Sequence, residues 1–285
     1  MLISWIDFSI ADYIKPFSLS LEQNDFLFLA GETCSSKLFL ALAGFLPEEC
    51  NFTDALRIEG QKMRSNETFK SVLLPKNAVE SLPPHRTIGQ FALDLSPDFT
   101  KKKLVNHAAA HGIDKQTLYS RPAKISEPIL QKISLWLCSL NPSAMVFIEE
   151  PKNGFFEEIR PFDFLQSLLK KGITKSIVYL TDKKEVIFQK AKIMQFCRAR
   201  IAVFCADRLV EEGEAVKILE NPIHPYTQDW LKYGSTLQLK NGALWHYCKQ
   251  SCSEQHNCSA KQSLSYISWD CGPAGLHKVI CRGFI

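Results

Sequence analysis

The chain has 285 residues, 46% of them hydrophobic and 22% charged, which is enough to bury a sizeable core and too apolar for a disordered chain. Its formal charge of +4, without a basic arm or a dense Lys/Arg stripe, argues against a nucleic-acid partner. The longest basic run, Lys101-Lys102-Lys103, reads as a solvated helix face, and no apolar run is long enough to span a bilayer.

At the start, MLISWIDFSIADYIKPF carries Asp7 and Asp12 and lacks a basic n-region, so no secretory leader is expected. Residues 1–30 read as short strands. Phe17, Leu19 and Leu21 alternate, Gln23-Asn24-Asp25 makes a turn, and a buried-type run ends at Gly31. Residues 37–46 form a compact apolar helix and 71–75 another strand. Residues 88–140 are mostly helical in pattern, with breaks at Pro97, Gly112 and Pro122. AMVFIEEP, residues 144–151, suits a buried parallel strand. A helix stopped by Gly172 follows, then the buried strand KSIVYLTD, then a hairpin with its turn near Ala206-Asp207. Alternating strands and helices imply an α/β domain with a largely parallel sheet. Periodicity fades beyond about residues 232–242, where cysteines begin. Cys248, Cys252, Cys258, Cys271 and Cys281 make up half of the ten in the chain, and in a reducing compartment such a cluster suggests metal ligation before disulfides.

The most chemical stretch is GETCSSKL, residues 31–38, between a strand and a helix. A phosphate-binding loop reads G-x-x-x-x-G-K-[ST], so Gly31 and Lys37 fit, Ser36 stands at the second glycine, and Leu38 stands at the metal-binding hydroxyl. A helix N-terminus with Lys37 would still offer a positive end to an anion.

Order along the chain sharpens this reading. VFIEEP lies about a hundred residues downstream, and RIAVFCADRLVEEGEAVKILENPIHPYTQDWL follows it. The last stretch resembles the end of ATP-binding-cassette ATPases of the oligopeptide, dipeptide and nickel importer family, where a strand pair leads into ENPxHPYT. SLPPHRTIGQ resembles the segment after that family's glutamine loop, and HKVICRGF its C-terminal HxVAC. The resemblance implies an ATP-binding-cassette nucleotide-binding domain: a RecA-like core with a helical subdomain at about residues 88–140, together spanning 1–234. A small cysteine-rich extension would span 235–285.

Set beside the family, the catalytic motifs are eroded. No glutamine stands near Lys76. The signature LSGGQ aligns with ISEPI, residues 125–129, keeping Ser126 but placing Glu127 and Pro128 at the two glycines. The Walker B aspartate aligns with Glu149 and the catalytic glutamate with Glu150, while Asp182 falls where the switch histidine is expected. The resemblance assigns Gly31, Ser35, Ser36, Lys37 and Glu149 to the nucleotide and leaves Glu150 as a remnant general base. Tyr13, where the family stacks an aromatic on adenine, reads rather as an ordinary core or surface tyrosine. Residues with a Cβ resist the backbone of the phosphate loop by about 1–3 kcal/mol per strained position. Leu38 cannot ligate Mg²⁺, and loss of the metal harms phosphoryl transfer severely. Weak ATP binding without efficient hydrolysis is therefore expected.

Cys248, Cys252, Cys258 and Cys281 resemble the family's four-cysteine tail, which implies a 4Fe-4S cluster. The first gap is shorter than the family's. Zinc is the competing metal, with His246 and His256 as further ligands and Cys271 as an alternative fourth cysteine. The resemblance also implies partners: a second ATP-binding-cassette subunit, two transmembrane permease subunits and, indirectly, an extracytoplasmic solute-binding protein. It places the chain peripherally on the cytoplasmic face of the inner membrane. The expected function is that of a catalytically degenerate nucleotide-binding subunit of a peptide- or nickel-type importer. The alternative is a stand-alone iron–sulfur or zinc pseudo-ATPase that senses or supports structure.

Overall fold

The computed structural model describes residues 3–11, 13–31, 36–63, 69–140, 142–151, 161–193, 197–205, 208–233, 267–270 and 277–281. In chain order the elements are β1 (Ile3–Ile10), β2 (Ile14–Leu21), β3 (Asp25–Ala30), α1 (Ser36–Leu42), α2 (Phe52–Ala55), β4 (Leu56–Ile58), β5 (Gln61–Lys62) and β6 (Ser71–Leu74). Then come α3 (Ile88–Leu95), α4 (Lys101–Ala110), α5 (Lys115–Leu118), α6 (Glu127–Cys138), β7 (Ser143–Glu149), α7 (Pro161–Lys170), β8 (Thr174–Leu180) and α8 (Lys184–Ile193). The last are β9 (Arg198–Cys205), β10 (Arg208–Glu214), α9 (Ala215–Glu220), α10 (Pro225–Tyr233), β11 (Ile267–Asp270) and β12 (His277–Cys281).

The chain divides into two compact units, Met1–Thr68 with Val178–Ile285, and Phe69–Ile177. In the first, β1 pairs antiparallel with β2 and β4, and Trp5, Phe8 and Ile10 of β1 are fully buried. Every residue of β3 is buried, as its unbroken DFLFLA run requires, and β3 lies parallel to β9 in register from Asp25↔Arg198 to Ala30↔Val203. That register is fixed by charge. Arg198 grips the buried Asp25 through two bonds of 2.8 and 2.9 Å, and Arg200 adds a third at 3.0 Å. Arg200 also pairs with Glu212 of β10. Burial pushes the Arg200 guanidinium below its ordinary pKa, against the pull of Asp25.

β9 and β10 form the expected antiparallel hairpin. Where periodicity fades in the sequence, β11 and β12 pair antiparallel, and β12 pairs with β10 through Glu211↔Val279. The short β4–β5 hairpin carries no sequence signal. It turns on Glu59 and Gly60, both at positive φ.

In the second unit β6 and β7 run parallel, as the sequence predicts for 144–151. The segment 88–140 is helical, and polar side chains cap the starts of α3, α4 and α5. Thr87 and Gln90 form a reciprocal capping box at α3, the Thr100 hydroxyl accepts from Lys103 N at α4, and Asp114 accepts from Thr117 N at 2.7 Å at α5. Gly112 takes φ +68° in the turn after α4. Ile88, Ala92, Leu104, Ala108, Ile133 and Trp136 close a core beneath these helices.

Candidate functional site

Gly31 ends β3 with φ +103°, and a Cβ there would sit 2.0 Å from the carbonyl oxygen of Phe204 in β9. The close approach of two parallel strands therefore demands glycine at this position without any reference to a ligand. Ser35 lies outside the described residues. Ser36 and Lys37 open α1 and are exposed.

The Lys37 ammonium points to protein. Nζ is 2.6 Å from Glu49 Oε2 and 5.3 Å from the centroid of the Tyr13 ring. A carboxylate thus pairs with the cation that an anion would meet, and the aromatic ring adds an attraction to the same cation. The sequence singles out neither partner for this purpose. Glu49 sits in the turn LPEE, whose spacing from Lys37 has no helical or strand period.

Leu38, the next residue, is 0% exposed and packs in the core with Phe39, Ala41 and Leu42. It has no oxygen to offer, and its side chain is turned away from solvent. Among the described residues, Leu38 offers no hydroxyl to a magnesium ion at this position. An anion could still be met by Lys37, in competition with Glu49.

In the second unit, Glu149 and Glu150 follow one another at the end of β7. Glu149 Oε2 accepts from the backbone N–H of Lys76 at 3.2 Å, and Glu150 is buried. The structure so ties Glu149 to the residue that stands where the glutamine was expected. Ser126, Glu127 and Pro128 begin α6. Ser126 is the N-cap, without a side-chain cap bond, and Pro128 and Glu127 occupy the first turn. Proline needs no N–H there and an acid favours the positive helix end, so this segment reads as an ordinary helix start. Asp182 is exposed beyond β8.

Cys248, Cys252, Cys258, Cys271, His246 and His256 lie outside the described residues. Cys281 is at the end of β12, opposite Ile267. Among the described residues no group of three or more His, Cys, Asp or Glu is placed to hold a metal ion, and no helix is long and apolar enough to cross a membrane.

The segment NPIHPYT has an architectural role. Glu211 of β10, fully buried, accepts from the backbone N–H groups of Ile223 at 2.9 Å and His224 at 3.2 Å. His224 Nδ1 then accepts from Tyr226 N at 3.1 Å, which caps α10. Burial holds the His224 pKa down at about 4, so the ring is neutral, as an acceptor Nδ1 must be.

No family model matches the chain. Its sequence is similar to the oligopeptide transport ATP-binding protein OppF of Streptococcus pyogenes serotype M1, 24% identical over 233 residues that cover 76% of this chain and 74% of the relative. It is likewise similar to the oligopeptide transport ATP-binding protein OppD of Lactococcus lactis subsp. cremoris, 23% identical over 254 residues, 81% of this chain and 73% of the relative. Among solved structures, the fold matches the ATP-binding subunit of an ABC transporter with a TM-score of 0.61 at 15% identity, over 87% of this chain and all of that one. It also matches a dimeric ATP-binding cassette bound to ADP and phosphate, TM-score 0.58 at 13% identity, over 75% of this chain and 99% of that one.

Proposed function

We propose that this chain, which belongs to the ATP-binding-cassette ATPases of the peptide-importer family, is a catalytically degenerate nucleotide-binding subunit of such a transporter. It pairs with a second, intact ATPase subunit and with two membrane permeases, lying peripherally on the cytoplasmic face of the membrane. Peptides are the solute class, by likeness to the relatives' names, and nickel is the other class that the motif resemblance admits.

The observation that carries the degenerate reading is Leu38. Its side chain is fully buried at the position where the phosphate loop needs a metal-binding hydroxyl. Three further features support it: Lys37 is occupied by Glu49, the signature glycines are replaced by Glu127 and Pro128 in a helix start, and Asp182 stands at the switch position. Glu150 alone could accept a proton, but a base without a positioned substrate does little. The chain's contribution is then as a folded partner surface, with an anion met weakly at Lys37. A metal centre on Cys248, Cys252, Cys258 and Cys281 belongs to the same proposal and is supported by their spacing.

The test is phosphate release by the purified chain in Mg²⁺-ATP, with Glu150→Gln alongside. We expect no turnover above background from either. Mg²⁺-dependent turnover that Glu150→Gln abolishes would overturn the degenerate reading. Recovery of an intact ATPase and permeases with a tagged chain, from gently solubilised membranes, tests the pairing. A lone soluble chain with bound iron or zinc would instead favour the stand-alone metalloprotein.

A further inference from the structure

Gln131, in the middle of α6, is 3% exposed, and neither its amide nitrogen nor its amide oxygen has a hydrogen-bond partner among the described residues. A buried primary amide left in this state forfeits the bonds it would make to water at both ends. The side chain does not face solid core. Together with Ser134 and Leu135, one turn along the same helix face, it lines a small, partly open cleft. Ser81, Ile148 and Glu149 contribute to the same wall. Ser81 Oγ donates to Ala78 O at 2.8 Å and lies 3.3 Å from Ser134 Oγ, so the polar part of the lining is already ordered.

The chemistry of this lining selects its guest. The Gln131 amide offers a donor N–H and the Glu149 carboxylate an acceptor, so a guest that both accepts and donates can join them. The Glu149 carboxylate on the rim repels an anion. One carboxylate with an amide oxygen is too small a ligand set for a divalent cation. The cavity volume is about 10 Å³, roughly the room that one water needs.

We propose that this cleft is a binding site for one water molecule, which accepts from Gln131, donates to Glu149, and thereby makes Gln131 a positioning residue for that carboxylate. The water joins α6 to the end of β7, where Glu149 already accepts from Lys76 N. The link runs from the helix that begins at Ser126 to the paired acids, wholly within the second unit.

The test exploits a difference in sign. Gln131→Leu removes both polar ends at nearly constant volume. If the amide is dry, this relieves an unmet demand and leaves the melting temperature unchanged or raised. If it holds a water, the variant strands Glu149's partner, and we expect the folding equilibrium constant to fall about tenfold and the melting temperature by about 3 °C. An unchanged or higher melting temperature would overturn the site. Glu149→Gln and the double variant complete a cycle, with coupling of at least about threefold expected. Strict additivity would refute the positioning role. Should Gln131→Leu fail to fold, a high-resolution crystal structure of the unaltered chain decides. Water density bridging Gln131 and Glu149 supports the proposal, and a dry cleft or an amide bonded to protein sinks it. None of these readouts involves nucleotide.

Discussion

The Nζ atom of Lys37 lies 2.6 Å from Oε2 of Glu49, with both side chains nearly half exposed. An ion pair of this exposure is worth about 0.2–1 kcal/mol. It therefore competes with an incoming anion without closing the site. Glu49→Gln is expected to raise affinity for ATP or inorganic pyrophosphate by about two- to fivefold, measured by calorimetry at low salt. Lys37→Gln should abolish the binding. Equal affinity in Glu49→Gln and the parent would mean that Lys37 does not meet the anion.

Gly31→Ala tests the packing of β3 against β9. The added methyl meets the backbone of Phe204 at 2.0 Å, and the +103° φ is foreign to alanine. A loss of at least about 3 kcal/mol is expected, seen as a fall in denaturant midpoint or as insoluble protein. A stable variant would show that the two strands can part.

His224 gives the fold a pH limit. Its pKa is about 4 when folded and 6.5 ordinarily, because burial disfavours the charged ring. The unfolded chain thus binds the extra proton first as pH falls. This site's stability is fully present above about 6.5 and declines towards about pH 4, by about 3 kcal/mol in all. Urea midpoints between pH 7 and pH 4.5 should fall less steeply in His224→Gln than in the parent. Parallel slopes would contradict the assignment.

The tail is tested by its metal. Protein prepared without oxygen is expected to be brown and to contain iron, and Cys252→Ser should bleach it. Colourless protein with stoichiometric zinc would replace the cluster by the alternative. A folded sample with neither metal would leave the thiols free.

Much of this architecture can be read from short-range pattern. The alternation of Phe17, Leu19 and Leu21 foretells β2, and the unbroken DFLFLA run foretells a strand buried on both faces. Gly112 and Gly172 mark turns at positive φ. The residues that decide the site's chemistry are less legible, because their partners are set by tertiary placement. Nothing in the sequence places Glu49 beside Lys37, or Gln131 in the cleft with Glu149. Leu38 announces the loss of a hydroxyl, but only its burial shows that the side chain has joined the core. β11 and β12, four and five residues long, are not read as strands from the sequence.

The clasp between Glu211 and the backbone of Ile223 and His224 bears on what a signature segment can testify to. The buried Glu211 carboxylate and the His224 ring that caps α10 close a helix onto a hairpin, a demand that is the same in a working motor and in an idle one. NPIHPYT is therefore a record of descent written in the scaffold. It can survive intact in a chain whose phosphate loop has been rewritten, and a likeness founded on it certifies lineage while leaving the question of turnover to Leu38 and Lys37.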